Sequence, residues 1–89
     1  MTKSDPLAEC VVHSMRQYFK DMNGQDPTNL HNFFMAEVER PFLKVVMQQV
    51  EGNQSRAANM LGINRNTLRK KLKNYNLVWA HLQSNLPVL

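Results

Sequence analysis

Eighty-nine residues suffice for one small domain, and a chain this short is marginal alone, so association with a second copy is a reasonable expectation. Hydrophobic residues make up 43%, too many for a disordered chain, and the single cysteine, Cys10, excludes an intrachain disulfide or a metal site built on cysteine pairs. The net charge of +4 is unevenly placed: residues 1–50 carry five Lys or Arg against six Asp or Glu, a net −1, whereas residues 51–89 carry six against Glu51 alone, a net +5. Such asymmetry points to nucleic acid or an anionic surface as partner.

Residues 1–5 are polar and are expected to form a short flexible N-terminus. They contain no start of a signal peptide, and no apolar run approaches the roughly 20 residues of a membrane span, so a cytoplasmic location is expected. Asp5-Pro6 is a helix start, with Asp as N-cap and Pro in the first turn. Leu7, Val11, Met15, Tyr18, Phe19 and Met22 then give an amphipathic stripe that Asn23-Gly24 ends. Asp26-Pro27 repeats the start signal. Leu30, Phe33, Phe34, Val38, Phe42, Val45, Val46 and Val50 continue it as one helix of about six turns closed by Gly52. Pro41 lies inside this run and predicts either a kink or a division into Asp26–Arg40 and Pro41–Glu51. Met35, Phe33, Phe34, Val46 and Met47 surround much of the helix, and a helix apolar on more than one face is buried on more than one face. In so small a chain the second cover is most simply a two-fold copy. Residues 6–51 therefore read as dimerisation helices.

Residues 52–76 carry a different pattern. Asn53 is a good N-cap, Ala57, Ala58 and Leu61 mark a helix of about two turns, and Gly62 ends it. Asn64 caps a last helix whose buried stripe is Leu68, Leu72 and Tyr75. Two short helices joined by a Gly-containing turn form a helix-turn-helix. The small Ala58 allows close approach, Gly62 can take positive φ at the turn, and Leu68 packs the second helix on the first. Arg65, Arg69 and Lys73 recur every fourth residue on the polar face, flanked by Asn66 and Lys70, with Asn64 and Thr67 near the helix start. The start of such a second helix meets base edges in the major groove, where Arg can donate twice to guanine. Asn53 and Ser55 open the first helix, where a phosphate accepts from backbone N–H groups. A charged stripe opposite an apolar one is also what an ordinary solvated helix shows. Here, however, no acidic residue follows Glu51 to balance it. Lys70 and Lys71 fit phosphate contact or plain solvation equally well. No catalytic, cofactor or metal motif stands out: His13, His31 and His81 lack ligand spacing, and Glu37 and Glu39, two apart on a helix, do not face the same way. A protein-interaction module whose basic end serves acidic partners is the competing class.

Tyr18-Phe19, the string NGQD at Asn23–Asp26, AEVE at Ala36–Glu39, Pro41 and VMQ at Val46–Gln48 are distinctive. So are GNQ at Gly52–Gln54, RAA at Arg56–Ala58, GINR at Gly62–Arg65 and TLRKKLK at Thr67–Lys73. In this order and spacing the chain, from about Pro6 to Tyr75, resembles the Fis family of bacterial nucleoid-associated DNA-bending proteins. The last segment alone also resembles the DNA-binding ends of NtrC-type activators, and the first half selects Fis. The resemblance implies an all-α fold of four-helix subunits, the two N-terminal helices forming an intertwined homodimer core and the C-terminal helix-turn-helix reading DNA. It implies a transcriptional regulator in the nucleoid, acting on pseudo-palindromic double-stranded DNA bent over an A/T-rich centre. Asn53, Ser55, Asn64, Arg65, Thr67, Arg69 and Lys70 match the family's DNA contacts, with Arg65 the main base reader and Lys73 a backbone contact. Contact with RNA polymerase is left open. Stimulation of a DNA invertase is not expected, because only about five residues precede the first helix where the family carries a β-hairpin arm. Glu51 and Asn74 replace basic residues and Asn66 replaces a glycine, and an acidic Glu51 should weaken the wrapping of flanking DNA. Residues 77–89 extend beyond the resemblance; Trp79, Leu82 and Leu86 give either a docked extra helix or a frayed tail.

Overall fold

A computed structural model describes residues 5–84; those described residues form five helices and no strand. The chain divides into two compact units, Met1–Leu30 and His31–Leu89. In the first, α1 spans Pro6–Met22. The Asp5 carboxylate accepts from the Leu7 and Ala8 N–H groups at 3.1 and 3.4 Å, and Pro6 sits where a missing N–H costs nothing. Asn23 ends the helix in the left-handed region at φ 57°. No residue of α1 is buried, and Leu7, Val12 and Phe19 are exposed.

The second helix, α2, spans Leu30–Gln49. Its start corrects the sequence reading, which placed it at Asp26-Pro27. Asn29 stands at φ 56°, outside helical space, so the turn opened by Pro27 is not yet the helix. Pro41 lies inside one continuous 20-residue helix, which removes the alternative of two. Proline deletes the i→i−4 hydrogen bond to the Glu37 carbonyl, and packing elsewhere along α2 offsets that loss.

Three short helices follow in the second unit: α3 (Gln54–Leu61), α4 (Arg65–Asn74) and α5 (Trp79–Ser84). The ends of α2, α3 and α4 are built alike. Gly52 donates to the Met47 carbonyl (3.0 Å), Ile63 to Ala58 (3.1 Å) and Leu77 to Leu72 (2.8 Å), each preceded by a left-handed residue. These are Schellman closures, which satisfy carbonyls a helix end would otherwise leave bare. At the end of α3 the left-handed residue is Gly62, as expected; at the end of α2 it is Glu51 (φ 52°), with Gly52 (φ 82°) one place later.

The core joins the C-terminal half of α2 to everything after it. Leu43 and Met47 from α2, and Val50 just past its end, meet Ala57 and Ala58 of α3, Leu68 and Leu72 of α4, and Leu82 of α5. Leu68 and Ala57 are wholly buried and Ala58 nearly so, which lets α3 and α4 pack closely. Full burial of a leucine such as Leu43 or Leu68 contributes about 1.5–3 kcal/mol. Within the C-terminal extension α5 is a docked helix: Leu82 is buried and Trp79 packs against the core, while Leu86 lies outside the described residues. The four-helix expectation gains a fifth helix from this segment.

Candidate nucleic-acid interface

The helix-turn-helix is α3, the turn Gly62–Asn64, and α4. Each helix begins on an asparagine cap. The Asn53 side-chain oxygen accepts from the Arg56 N–H at 3.1 Å, and that of Asn64 from the Asn66 N–H at 2.7 Å. Both oxygens are committed to their helices, which leaves the amide NH2 groups as the donors available to a ligand. Ser55 is exposed on the first turn of α3.

Leu68 and Leu72 turn inward from α4, and Arg65, Asn66, Thr67, Arg69, Lys70 and Lys73 are all exposed. At about 100° per residue, Arg69, Lys73, Asn66 and Lys70 succeed one another within an arc of about 100°, with Arg65 at its edge beside Leu72. Among the described residues, none of Arg65, Arg69, Lys70 and Lys73 forms an ion pair. α3 and α4 contain no carboxylate at all. The sequence-predicted set Asn53, Ser55, Asn64, Arg65, Thr67, Arg69, Lys70 and Lys73 therefore lies exposed on the two helices of one motif.

Lys71 differs from its neighbours. Its Nζ lies 3.1 Å from Glu39 Oε2 and donates to Oε1 at 3.2 Å, so this partly exposed ammonium is engaged by a carboxylate within the chain. The Tyr75 hydroxyl donates to the same Glu39 Oε1 at 2.6 Å. Arg40 donates to the Tyr75 carbonyl at 3.0 Å, and its guanidinium lies 5.6 Å from the centre of the Tyr75 ring. The Tyr75 hydrogen bond, aided by Lys71, holds the Glu39 carboxyl below its usual range, and the same bond pushes the Tyr75 hydroxyl up. This latch ties the C-terminal end of α4 to the middle of α2. The sequence marked Tyr75 only as an apolar position; its partner Glu39 lies more than thirty residues away on α2, beyond the reach of any local pattern.

An all-helical chain that ends its long helix in a two-helix motif with a bare cationic second helix is a helix-turn-helix protein. The signature of the family described as "Bacterial regulatory protein, Fis family" matches residues 34–75, from the first turns of α2 through α4. The chain is 54% identical over 72 residues to the DNA-binding protein Fis of Glaesserella parasuis, covering 81% of this chain and 74% of that protein. It is 53% identical over 74 residues to DNA-binding protein Fis of Haemophilus influenzae, covering 83% and 75%, and 53% identical over 72 residues to that of Proteus mirabilis, covering 81% and 74%. The chain belongs to the Fis family.

Proposed function

We propose that this protein is a homodimeric regulator that binds and bends double-stranded DNA, one α4 entering the major groove on each side of a pseudo-palindromic site. The observation that carries the reading is the exposed, unpaired cationic face of α4 at the second position of a helix-turn-helix. Arg65 supplies base readout at the start of α4. Thr67, Arg69 and Lys70 extend the contact, and Lys73 reaches backbone phosphate. Asn53, Ser55 and Asn64 donate to phosphates at the two helix starts.

Pairing is supported by apolar surface that a single chain leaves open. Among the described residues, eight of the ten large exposed hydrophobics lie on α1 and α2. Phe34, Val38, Phe42 and Val45 form a stripe on α2 about 150° round the helix from the line of Leu43, Met47 and Val50. Two apolar stripes on one helix need two covers, and a second copy supplies the one the single chain lacks. The relatives' name, DNA-binding protein Fis, agrees with the DNA reading. Two recognition helices closer together than one helical turn would require the DNA to bend, so that an A/T-rich centre lowers the deformation cost. The site of action is then the nucleoid. No helix among the described residues is long and apolar enough to cross a membrane.

Fluorescence anisotropy on two duplexes with the same pseudo-palindromic flanks, one with an A/T centre and one with a G/C centre, tests the reading. Tighter binding to the A/T centre, weakening steeply as salt rises, is expected. Equal binding would remove bending from the proposal. No binding at low salt would overturn the DNA reading and move the basic end to an acidic protein partner.

A further inference from the structure

The joint between α2 and the helix-turn-helix is residues 50–53, in which Glu51 and Gly52 both stand at positive φ. One short segment returns to this joint from the far side of the motif. The recognition helix α4 closes on Leu77, whose N–H donates to the Leu72 carbonyl at 2.8 Å, and two residues later α5 begins. Trp79, the first residue of α5, lies flat against Gly52: a Cβ built there would stand 2.9 Å from three atoms of the indole. Leu82, one turn on, is 4% exposed within the core, and its carbonyl accepts from Gln48 Nε2 of α2 at 3.4 Å. The segment is therefore attached at the end of α4, pressed on the turn, and bonded to α2. It closes a triangle whose open side would be the joint.

We infer that α5 is a spacing clamp: Trp79 and Leu82 fix the angle between the helix-turn-helix and α2, and so make DNA binding selective for one distance between half-sites. The inference rests on the dimeric DNA reading above, in which α2 belongs to the pairing core and α4 to the groove. The lever makes small angles matter. At the end of an arm about 15 Å long, the length of a ten-residue helix, a swing of about 13° moves a contact by about 3.4 Å, the rise of one base pair. The latch of Glu39, Lys71 and Tyr75 restrains the C-terminal end of α4, but only through partly exposed side chains. The indole against Gly52 restrains the joint itself with rigid surface. Trp79 is thus a positioning residue, touching no base and no phosphate.

The test is binding to duplexes carrying the same two half-sites at centre-to-centre separations changed by one or two base pairs, with the full chain confirmed as a dimer by sedimentation. The native protein is expected to prefer one separation, losing about tenfold in affinity per base pair of error, comparable to a mismatched pair. Trp79→Ala, and Gly52→Ala, which drives the ring off the turn, should each flatten that preference to below about threefold while keeping binding to unrelated DNA at low salt. Trp79→Leu, which retains bulk without a flat ring, gives the same reading should the alanine variants fail to fold. Trp79→Phe should restore the preference. Variants that melt lower but keep the native separation profile would overturn the clamp and leave α5 a stabilising helix only, as would a native protein that binds every separation equally. A native protein that binds no DNA would overturn the underlying reading instead, and the clamp with it.

Discussion

Arg65 begins α4 directly after the Asn64 cap, at the end that enters the major groove first in the proposed complex. Replacing it with alanine should cost about 1–3 kcal/mol on a preferred site and relax the choice of base there, with binding to unrelated DNA nearly intact. Full discrimination by Arg65→Ala would reassign base reading to another residue. Glu51 presents a different problem at the same scale. It occupies the left-handed position that ends α2, where a side chain costs roughly 1–2 kcal/mol that glycine avoids. Glu51→Gly is expected to raise stability by about 1 kcal/mol net, seen as a higher denaturant midpoint at unchanged slope. The sequence suggested Gly52 as the closing residue, and it is needed, but for another reason: it combines a φ of 82° with the Trp79 ring in contact. A glycine pair of causes cannot be read from a single letter, because the second cause comes from 27 residues away.

At the scale of elements, the latch between α2 and α4 predicts a pH window. The Glu39 carboxyl is held below its ordinary value, so its contribution is present above the usual carboxylate value of 4.5 and is lost as the pH falls through the lowered one. The Tyr75 hydroxyl is pushed above its ordinary 10.0, so its contribution is present below that value and is lost as the pH rises through the raised one. Tyr75→Phe should lower stability by roughly 0.5–1 kcal/mol near neutral pH, the group being partly exposed. The difference in Tm from the native protein should shrink at both extremes. A difference that stays constant from acid to alkali would show that the ring, and not the hydroxyl, matters. Element positions were largely legible beforehand. Asp5-Pro6, Asn53, Gly62 and Asn64 are local signals, and each sits where local chemistry put it. Asp26-Pro27 misled by about one turn because a start signal specifies that a turn can open, whereas the left-handed Asn29 decides where helical hydrogen bonding begins. The pairing of Lys71 with Glu39 was not legible: helical spacing sets Lys71 nearer than Lys70 to the buried stripe, but nothing local to α4 names an acid on α2 as its partner.

For the whole molecule, the division of labour follows the charge. The half that sums to −1 carries most of the uncovered apolar surface, the half that sums to +5 carries the cationic helix, and the core is built from both. A charge placed in the α2 stripe should act on pairing alone. Phe42 is 53% exposed in the single chain, so Phe42→Asp costs little in its own unit. Sedimentation should show the variant shifting toward monomer and losing preference for paired half-sites. A Phe42→Asp protein that remains dimeric would place the partner's contact elsewhere. The exposed site residues were legible because a helix face without a single carboxylate is a property of composition and spacing. The extension stayed undecided because Trp79, Leu82 and Leu86 state only that an apolar side exists, not that Gly52 leaves room for it.

That room has an optical consequence. Trp79 is the chain's single tryptophan, so the protein's ultraviolet emission originates at the joint between α2 and the helix-turn-helix. An indole pressed on backbone emits at shorter wavelength than one bathed in water. Any bound ligand, temperature step or substitution that opens the joint should therefore announce itself as a red shift, without a label and without disturbing the cationic face of α4.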